Sequence, residues 1–365
     1  MDIKRIGINE AKPGMLVAEN VYNTVNQLIV PRDAVLTDKA IARMRFHSIL
    51  SLRVFEAEVV DIDDISFLAP KKEERSYFEK LRETEEFTAY DNGFKDIVSI
   101  MEQELTKLVN GGDADTAMLV KEVRKLHGSC RNGIQLFDLL HCMRSYDDIT
   151  YAHSLNVALI CAVEGTWLGL SDTDIDLLIQ CGLYHDVGKL LIPKEILNKP
   201  SSLTSEEFKT VKSHAMQGYN MLHDKSLDTR VKMCAMMHHE RCDGSGYPLG
   251  IKSDQIEAFA KILMIADVYE AMTSPRAYRK PRCPFDVIKI FESEGLAQYD
   301  PKYLLTFMEN ITQSYLGTKV RLSDGTVGTI IYINKLAYSR PMIQVNDSDY
   351  IDLSKRTDLS IAAML

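Results

Sequence analysis

The 365-residue sequence lacks any long uncharged stretch. Its longest run without Asp, Glu, Lys or Arg covers 15 residues, from Ile149 to Val163, whereas a transmembrane helix needs about 20 apolar residues. No membrane-spanning helix is therefore expected. The first residues mix charged and apolar side chains, which is not typical of a signal peptide. The expected location is the cytoplasm.

The sequence also lacks an excess of positive charge and paired cysteines. Acidic residues outnumber basic residues 52 to 43, a formal net charge of −9, which argues against a general nucleic-acid-binding protein. The seven cysteines include no C-x-x-C pair, and reduced core thiols in a cytosolic protein explain them best. The 45% apolar and 26% charged residues are ordinary for a soluble globular protein and exclude a disordered chain.

The hydrophobic pattern divides the chain into four parts. Residues 1–65 alternate short apolar runs with turn residues and predict a small α+β module of unknown role. Residues 66–118 contain a charged linker and a helical connector. Residues 119–313 have apolar side chains at helical spacing and predict an all-helical domain, and residues 314–365 predict a small β module. The predicted fold class is therefore mainly α, with a small module at each end.

Histidines and aspartates occur within or at the ends of apolar helices in the predicted helical domain. Taken alone, His185-Asp186 could be a polar helix end without chemistry. Similar residues recur along the same domain, however, namely His153, His214, His238, His239 and Asp267. An acidic group within an apolar run, such as Asp267, is costly unless it has a partner. The recurrence indicates a shared site.

The chemistry of these side chains indicates metal binding. Imidazole and carboxylate ligands without thiolates favour Fe, Mn, Zn or Co over a structural zinc site. The adjacent His238 and His239 point about 100° apart on a helix, so they can border one cavity and face different ions. A carboxylate such as Asp186 can bridge two metals, and two ions about 3.5–4 Å apart can hold a bridging hydroxide and support an in-line phosphoryl displacement.

Three motifs in order carry a resemblance to a known family. The sequence has H-D-x-G-K at residues 185–189, H-H-E-x-x-D-G-x-G-Y-P at residues 238–248 and A-D-V-Y-E-A-M-T-S-P-R-A-Y-R at residues 266–279. In this pattern it resembles the HD-GYP phosphodiesterases, which belong to the HD metal-dependent phosphohydrolase superfamily and hydrolyse the bacterial messenger cyclic di-GMP. The resemblance covers roughly residues 119–313 and implies an all-helical HD-type domain between the two flanking modules.

The resemblance also implies a role for each matching residue. The implied metal ligands are His153, His185, Asp186, His214, His238, His239 and Asp267. His185, Asp186 and Lys189 are the implied catalytic residues, with Lys189 beside the scissile phosphate to stabilise charge or help protonate the leaving oxygen; a solvated helix-end lysine is the alternative. The implied substrate-binding residues are Lys189, Gly246, Tyr247, Arg276 and Arg279, of which the two arginines can face one phosphate-bearing ligand or be exposed on the surface.

The implied activity is metal-dependent hydrolysis of cyclic di-GMP to pGpG, and further to GMP, through a metal-bridging hydroxide. Some family members bind a third metal with a glutamate four residues before the first histidine, where this sequence has Ile149. Two divalent ions, Fe or Mn, are therefore expected.

A cyclic di-GMP receptor with little turnover and an HD hydrolase of another cyclic dinucleotide or nucleotide are the alternatives. Family members often dimerise, so a homodimer is a further expectation, although no long heptad repeat supports it.

Overall fold

The computed structural model describes the chain as two compact units, Met1–Arg75 and Ser76–Leu365. The residues that it describes are 3–22, 28–32, 34–37, 40–41, 44–45, 47, 49–55, 77–130, 133–143, 149–199, 201–274, 282–346 and 348–365. The motifs at residues 185–189 and 238–248 both fall in the second unit.

The first unit is a small module of short antiparallel strands. Its strands are, in chain order, β1 (Ile3–Gly7), β2 (Val21–Tyr22), β3 (Leu28–Val30) and β4 (Ser51–Phe55). β1 pairs with β4, and β2 pairs with β3. Val17, Leu36 and Met44 are buried in an apolar cluster of this unit, so the module has a core of its own.

The second unit is mainly helical, which confirms the predicted fold class. Its described α-helices are, in chain order, α1 (Tyr77–Arg82), α2 (Glu85–Val109), α3 (Thr116–Ser129), α4 (Gly133–Cys142), α5 (Ile149–Trp167), α6 (Asp172–Tyr184), α7 (Lys194–Leu197), α8 (Ser205–Lys212), α9 (His214–His223), α10 (Thr229–Met237), α11 (Ala258–Thr273), α12 (Pro284–Ile290), α13 (Leu296–Gln298) and α14 (Pro301–Ser314). A 3₁₀ turn, Val187–Leu191, follows α6. Within the described part of the chain, none of these helices has the length and apolar composition of a membrane span.

Local capping signals set where the helices around the site begin. The hydroxyl of Ser171 accepts a hydrogen bond from the backbone N–H of Asp174 at the start of α6. Thr204 and Glu207 form a reciprocal capping box at the start of α8, with distances of 3.2 and 2.7 Å. Each such cap stabilises a helix by about 1 kcal/mol. Because these caps determine where α6 and α8 begin, they help to place His185 and His214 at helix termini.

Close packing of α5 on α6 builds the centre of the second unit. A Cβ at Gly182 in α6 would lie 2.4 Å from the Cα of Ala158 in α5, so the missing side chain lets the two backbones approach each other. Both helices are apolar on the faces that meet, and their buried side chains belong to one large core. This approach brings the C-terminal end of α6 next to His153.

The C-terminal part of the second unit is a five-stranded antiparallel sheet. Its strands are β5 (Lys319–Leu322), β6 (Val327–Tyr332), β7 (Met342–Gln344), β8 (Tyr350–Asp352) and β9 (Ile361–Met364), in the spatial order β8-β7-β6-β5-β9. Val320, Ile330 and Ile343 are fully buried and belong to the same apolar cluster as the helices. The boundaries predicted at residues 118 and 313 stay predictions.

Candidate metal centre

Five helices bring the candidate histidines and aspartates together. His153 lies in α5 and Asp267 in α11, whereas the other five residues lie at a helix end or within two residues after it. One group of ligand atoms lying within 4.8 Å of one another comes from Asp186, His214, His238 and His239. A second such group comes from His153, His185 and Asp186. Asp186 belongs to both groups, which makes it the centre of the cluster.

Asp267 completes the set next to the second group. Its Oδ1 lies 3.1 Å from Nε2 of His153 and 4.0 Å from Nε2 of His185. Burial by itself raises the pKa of Asp267, but the hydrogen bond and charge of His153 hold that pKa well below its usual range. The structure thus brings all seven candidate ligands into one buried cluster.

Backbone carbonyls fix which nitrogen of three histidines faces the cluster. The Nδ1 atoms of His185, His214 and His238 lie 2.8, 2.5 and 3.0 Å from carbonyl oxygens. The accepting carbonyls are those of Gly182, Val211 and Ala235. Because a carbonyl can only accept, each Nδ1 carries the proton and donates it. In a neutral ring, Nε2 then presents a lone pair to the interior of the cluster, as a metal ligand must.

Two close contacts between imidazole nitrogens support a cation in this cluster. Nε2 of His185 lies 3.3 Å from Nε2 of His153, and Nε2 of His214 lies 3.2 Å from Nε2 of His238. In the second pair both Nδ1 atoms already donate to carbonyls, so two lone pairs face each other in neutral rings. Like partial charges repel at this distance, and a metal ion bound by both nitrogens removes the repulsion. The donor set therefore fits metal ions.

Asp186 supplies a buried negative charge, and one of its two carboxylate oxygens is available to bind a metal ion. Its Oδ1 is buried without a hydrogen-bond partner among the described residues, although Nε2 of His214 and of His238 lie 3.3 and 3.6 Å away. Burial alone raises the pKa of Asp186, but the Lys189 ammonium, 2.5 Å from Oδ2, keeps that pKa well below its usual range. This ionised oxygen faces two imidazole nitrogens but accepts no hydrogen bond from them, so it is available to bind a cation.

The double histidine is kept neutral by its surroundings. Burial lowers the pKa of His238 to about 4, and burial together with the neighbouring His238 lowers the pKa of His239 well below its usual range. Neutral imidazole is the form that binds metals. Both side chains belong to the group that contains His214, with ring centroids 4.1 Å apart. The expectation that they face different ions is therefore not supported, because both follow the last turn of α10 and lie beside the same partner.

Glu270 is a buried residue of the site to which sequence reasoning assigned no role. Its Oε2 lies 2.5 Å from Nδ1 of His153, and its Oε1 accepts a hydrogen bond from the side-chain amide of Asn156 at 3.0 Å. Burial by itself lowers the pKa of His153, but the charge of Glu270 raises it to about 9. A carboxylate on Nδ1 orients a histidine so that Nε2 can bind a metal. The available signal was its position one helical turn after Asp267.

We expect Glu270→Gln to weaken metal binding by about 10- to 100-fold while the protein stays folded, because the amide keeps the shape but loses the charge that orients His153. Competition with a chelator of known affinity measures this change. Glu206→Gln, at an exposed position of α8, is the matched control and should bind metal as the wild type does. Equal affinities for both variants would contradict the assigned role.

The loop after the double histidine is fixed by Glu240. This fully buried carboxylate accepts hydrogen bonds from the backbone N–H groups of Leu249 and Ile251 at 2.7 and 3.2 Å. A Cβ at Gly246 would lie 2.4 Å from the Cα of Glu240, so Gly246 has a packing role here, and its substrate role stays a prediction. The ring of Tyr247 stacks on His239 with centroids 4.6 Å apart. The loop therefore places an aromatic ring directly beside the candidate ligands.

The remaining predicted residues are placed as follows. Lys189 lies on the 3₁₀ turn with its Nζ against Asp186, at the edge of the cluster rather than free in solvent. Arg276 and Arg279 fall outside the described residues, as does the side chain of Ile149.

Comparison with known proteins identifies similar sequences for the helical region. Residues 148–303 match the family model of the HD domain, and this range includes all seven candidate ligands. The chain is 33% identical over 204 residues to a cyclic di-GMP phosphodiesterase of Pseudomonas aeruginosa, covering 56% of this chain and 49% of that protein. It is 30% identical over 191 residues to 3'3'-cGAMP-specific phosphodiesterase 2 of Vibrio cholerae, covering 52% and 36%.

These matches are partial. The chain spans about half or less of the length of these curated relatives. Among solved structures, Bd1817, described as an HDG"Y"P protein from Bdellovibrio bacteriovorus, is similar over 85% of this chain and 99% of its own, with 14% identity and a TM-score of 0.49.

Proposed function

We propose that the protein, whose residues 148–303 match the family model of the HD domain, is a metal-dependent phosphodiesterase that hydrolyses cyclic di-GMP to pGpG. The observation that carries the proposal is the buried cluster in which Asp186 belongs to two groups of histidines. A buried carboxylate shared between imidazole groups is suited to a pair of divalent ions. Similarity to cyclic di-GMP phosphodiesterases supports the choice of substrate.

In this proposal each group of ligand atoms binds one divalent ion, Fe or Mn. His214, His238 and His239 would bind one ion, His153, His185 and Asp267 would bind the other, and Asp186 would contact both. When bound, such a pair of ions activates water and neutralises charge on a phosphodiester. The position of Ile149, where some family members have a glutamate, supports two ions rather than three.

The protein's own side chains would then orient the substrate and move the proton. The side chains of Asp186 and of the histidines around it are largely buried, so bulk water would be excluded beside the scissile phosphate, which strengthens every electrostatic interaction there. Water would attack phosphorus as the bond to the leaving ribose oxygen breaks. Lys189 Nζ, at the edge of the cluster, would supply the proton to that oxygen, and the proton released by the attacking water would restore the ammonium. Arg276 and Arg279 remain proposed contacts to the phosphates of the ligand.

A second candidate substrate is 3'3'-cGAMP, because enzymes specific for this dinucleotide are also similar to this chain. The chemistry at the phosphodiester is the same for both substrates, so the cluster alone does not favour either. A receptor with little turnover is less well supported, since binding without chemistry would not require seven assembled metal ligands.

Steady-state turnover of both dinucleotides with the Mn- or Fe-loaded protein, under reducing conditions, tests the proposal. We expect kcat/KM for cyclic di-GMP to exceed that for 3'3'-cGAMP, with pGpG as the first product separated by chromatography. The opposite preference would assign the protein to the second substrate. Tight binding of cyclic di-GMP without any product, for every metal, would make the domain a receptor.

A further inference from the structure

Lys212 lies between two aromatic rings at the rim of the candidate metal centre. It is the last residue of α8, and its Nζ lies 4.7 Å from the ring centroid of Phe208 and 4.8 Å from that of Tyr247. An ammonium at this distance from a ring is attracted to the ring face. The two rings therefore hold the cation in a defined position.

The cation at Lys212 has no acidic partner within the described part of the chain. Neighbouring lysines differ: Lys199 is paired with Glu207 at 2.6 Å, and Lys189 is paired with Asp186 at 2.5 Å. Lysines on protein surfaces are normally solvated, but Lys212 is half-buried. A half-buried cation contacted by rings and by no carboxylate retains its capacity to bind an anion.

The same stack connects Lys212 to the metal ligands. The ring of Tyr247 stacks on His239 and also contacts the Lys212 ammonium, which lies 4.8 Å from the ring centroid. Lys212 also precedes the ligand candidate His214 by only two residues. On the outer side of the stack, the Phe208 side chain is 49% exposed, so the stack is accessible from solvent. An anionic ligand at the metal cluster would thus extend towards the ammonium.

We propose that Lys212 binds the phosphate of the cyclic dinucleotide that is not being cleaved. This inference rests on the proposed function, because a cyclic dinucleotide carries two phosphodiester groups and the metal cluster can engage only the one that reacts. The second phosphate remains charged throughout the reaction, and Lys212 would contact it in addition to the contacts proposed for Arg276 and Arg279. The rings restrict the lysine stem before the ligand arrives, so less conformational entropy is lost on binding.

The alternative is that Lys212 only stabilises the C-terminal end of α8, where a cation is favourable. In that case its charge would affect folding and leave substrate binding unchanged. The two roles are separated by comparing a substrate that has a second phosphate with one that does not. Bis(p-nitrophenyl) phosphate has a single phosphodiester and so provides the second kind of substrate.

The test is the steady-state kinetics of Lys212→Met, in which an apolar side chain of similar length fills the space between the rings. We expect KM for cyclic di-GMP to rise about 10- to 100-fold, the value of one lost charge-assisted hydrogen bond, with kcat changed less than threefold. For bis(p-nitrophenyl) phosphate, kcat/KM should stay within about twofold of the wild type. Lys212→Arg should restore most of the affinity for cyclic di-GMP.

Two controls make the outcome decisive. Lys209→Met removes an exposed lysine from the same helix and should behave as the wild type. Metal content per chain should be equal in all variants. Equal losses with both substrates, or no loss with either, would overturn the role of Lys212. A wild-type protein that hydrolyses bis(p-nitrophenyl) phosphate but no cyclic dinucleotide would instead overturn the proposed function.

Discussion

Replacing Asp186 with asparagine is expected to remove most of the bound metal and to lower cyclic dinucleotide turnover by at least about 1,000-fold. The carboxylate is shared by both groups of ligand atoms, so its loss would affect both proposed metal positions at once. Asparagine has nearly the same shape, but its amide is neutral and cannot balance the charge of two divalent ions. Loss of several kcal/mol of charge stabilisation in the transition state corresponds to this reduction in rate.

Metal analysis of the purified variant and measurement of kcat/KM check this prediction. The matched control is Asp224→Asn, which changes an aspartate whose side chain is 94% exposed and should leave both quantities unchanged. An Asp186→Asn protein that retains the wild-type metal content and turns over cyclic di-GMP normally would show that Asp186 does not bind metal.

Gly188→Ala is expected to have the second-largest effect, because it forces two backbones apart beside the site. A Cβ at this position would lie 2.0 Å from the carbonyl oxygen of His214 and 2.6 Å from the backbone nitrogen of Gly218. The obstacle is helix backbone rather than a flexible side chain, so α9 would have to move away from the 3₁₀ turn. Overpacking typically lowers the free energy of unfolding by about 1–3 kcal/mol, and we expect a value at the upper end here because the backbone cannot rotate away. The movement would also separate His214 from Asp186.

Urea unfolding and metal analysis measure the two consequences of Gly188→Ala. Gly128→Ala is the contrasting control, since a Cβ at that exposed helical position meets nothing within 4 Å. This control should stabilise the protein by about 0.5–1 kcal/mol, because alanine restricts the unfolded chain and favours helix. Wild-type stability and metal content in Gly188→Ala would contradict the close approach of the two backbones.

Local sequence signals predicted the helices and the residue types of the cluster well. The capping residues Ser171 and Thr204 mark helix starts that the structure contains. The histidines and aspartates were recognisable because charged or polar groups are costly on apolar helices unless they converge. The family resemblance then connected residues that lie more than 100 positions apart, such as His153 and Asp267.

Features that depend on how helices cross were not predictable from spacing. Glu270 can contact His153 only because α11 passes beside α5. Glycine is needed at position 188 only because α9 contacts the 3₁₀ turn. His238 and His239 belong to the same group of ligand atoms because of where α10 ends relative to His214. Short strands carry a weak pattern, and β9 (Ile361–Met364) therefore lacked a distinct signal. Hydrophobic periodicity describes one element at a time, whereas these features belong to pairs of elements.

Reactivation of the metal-stripped protein with Mn²⁺, monitored by pGpG formation from cyclic di-GMP, tests whether the cluster binds the metal ions that the reaction needs. We expect no product without metal, an increase in rate as metal is added, and saturation near two ions per chain. Hydrolysis at the full rate in the stripped protein would contradict the role of the buried histidine and aspartate cluster. Saturating metal binding at the cluster without any hydrolysis of a cyclic dinucleotide would contradict the proposed activity.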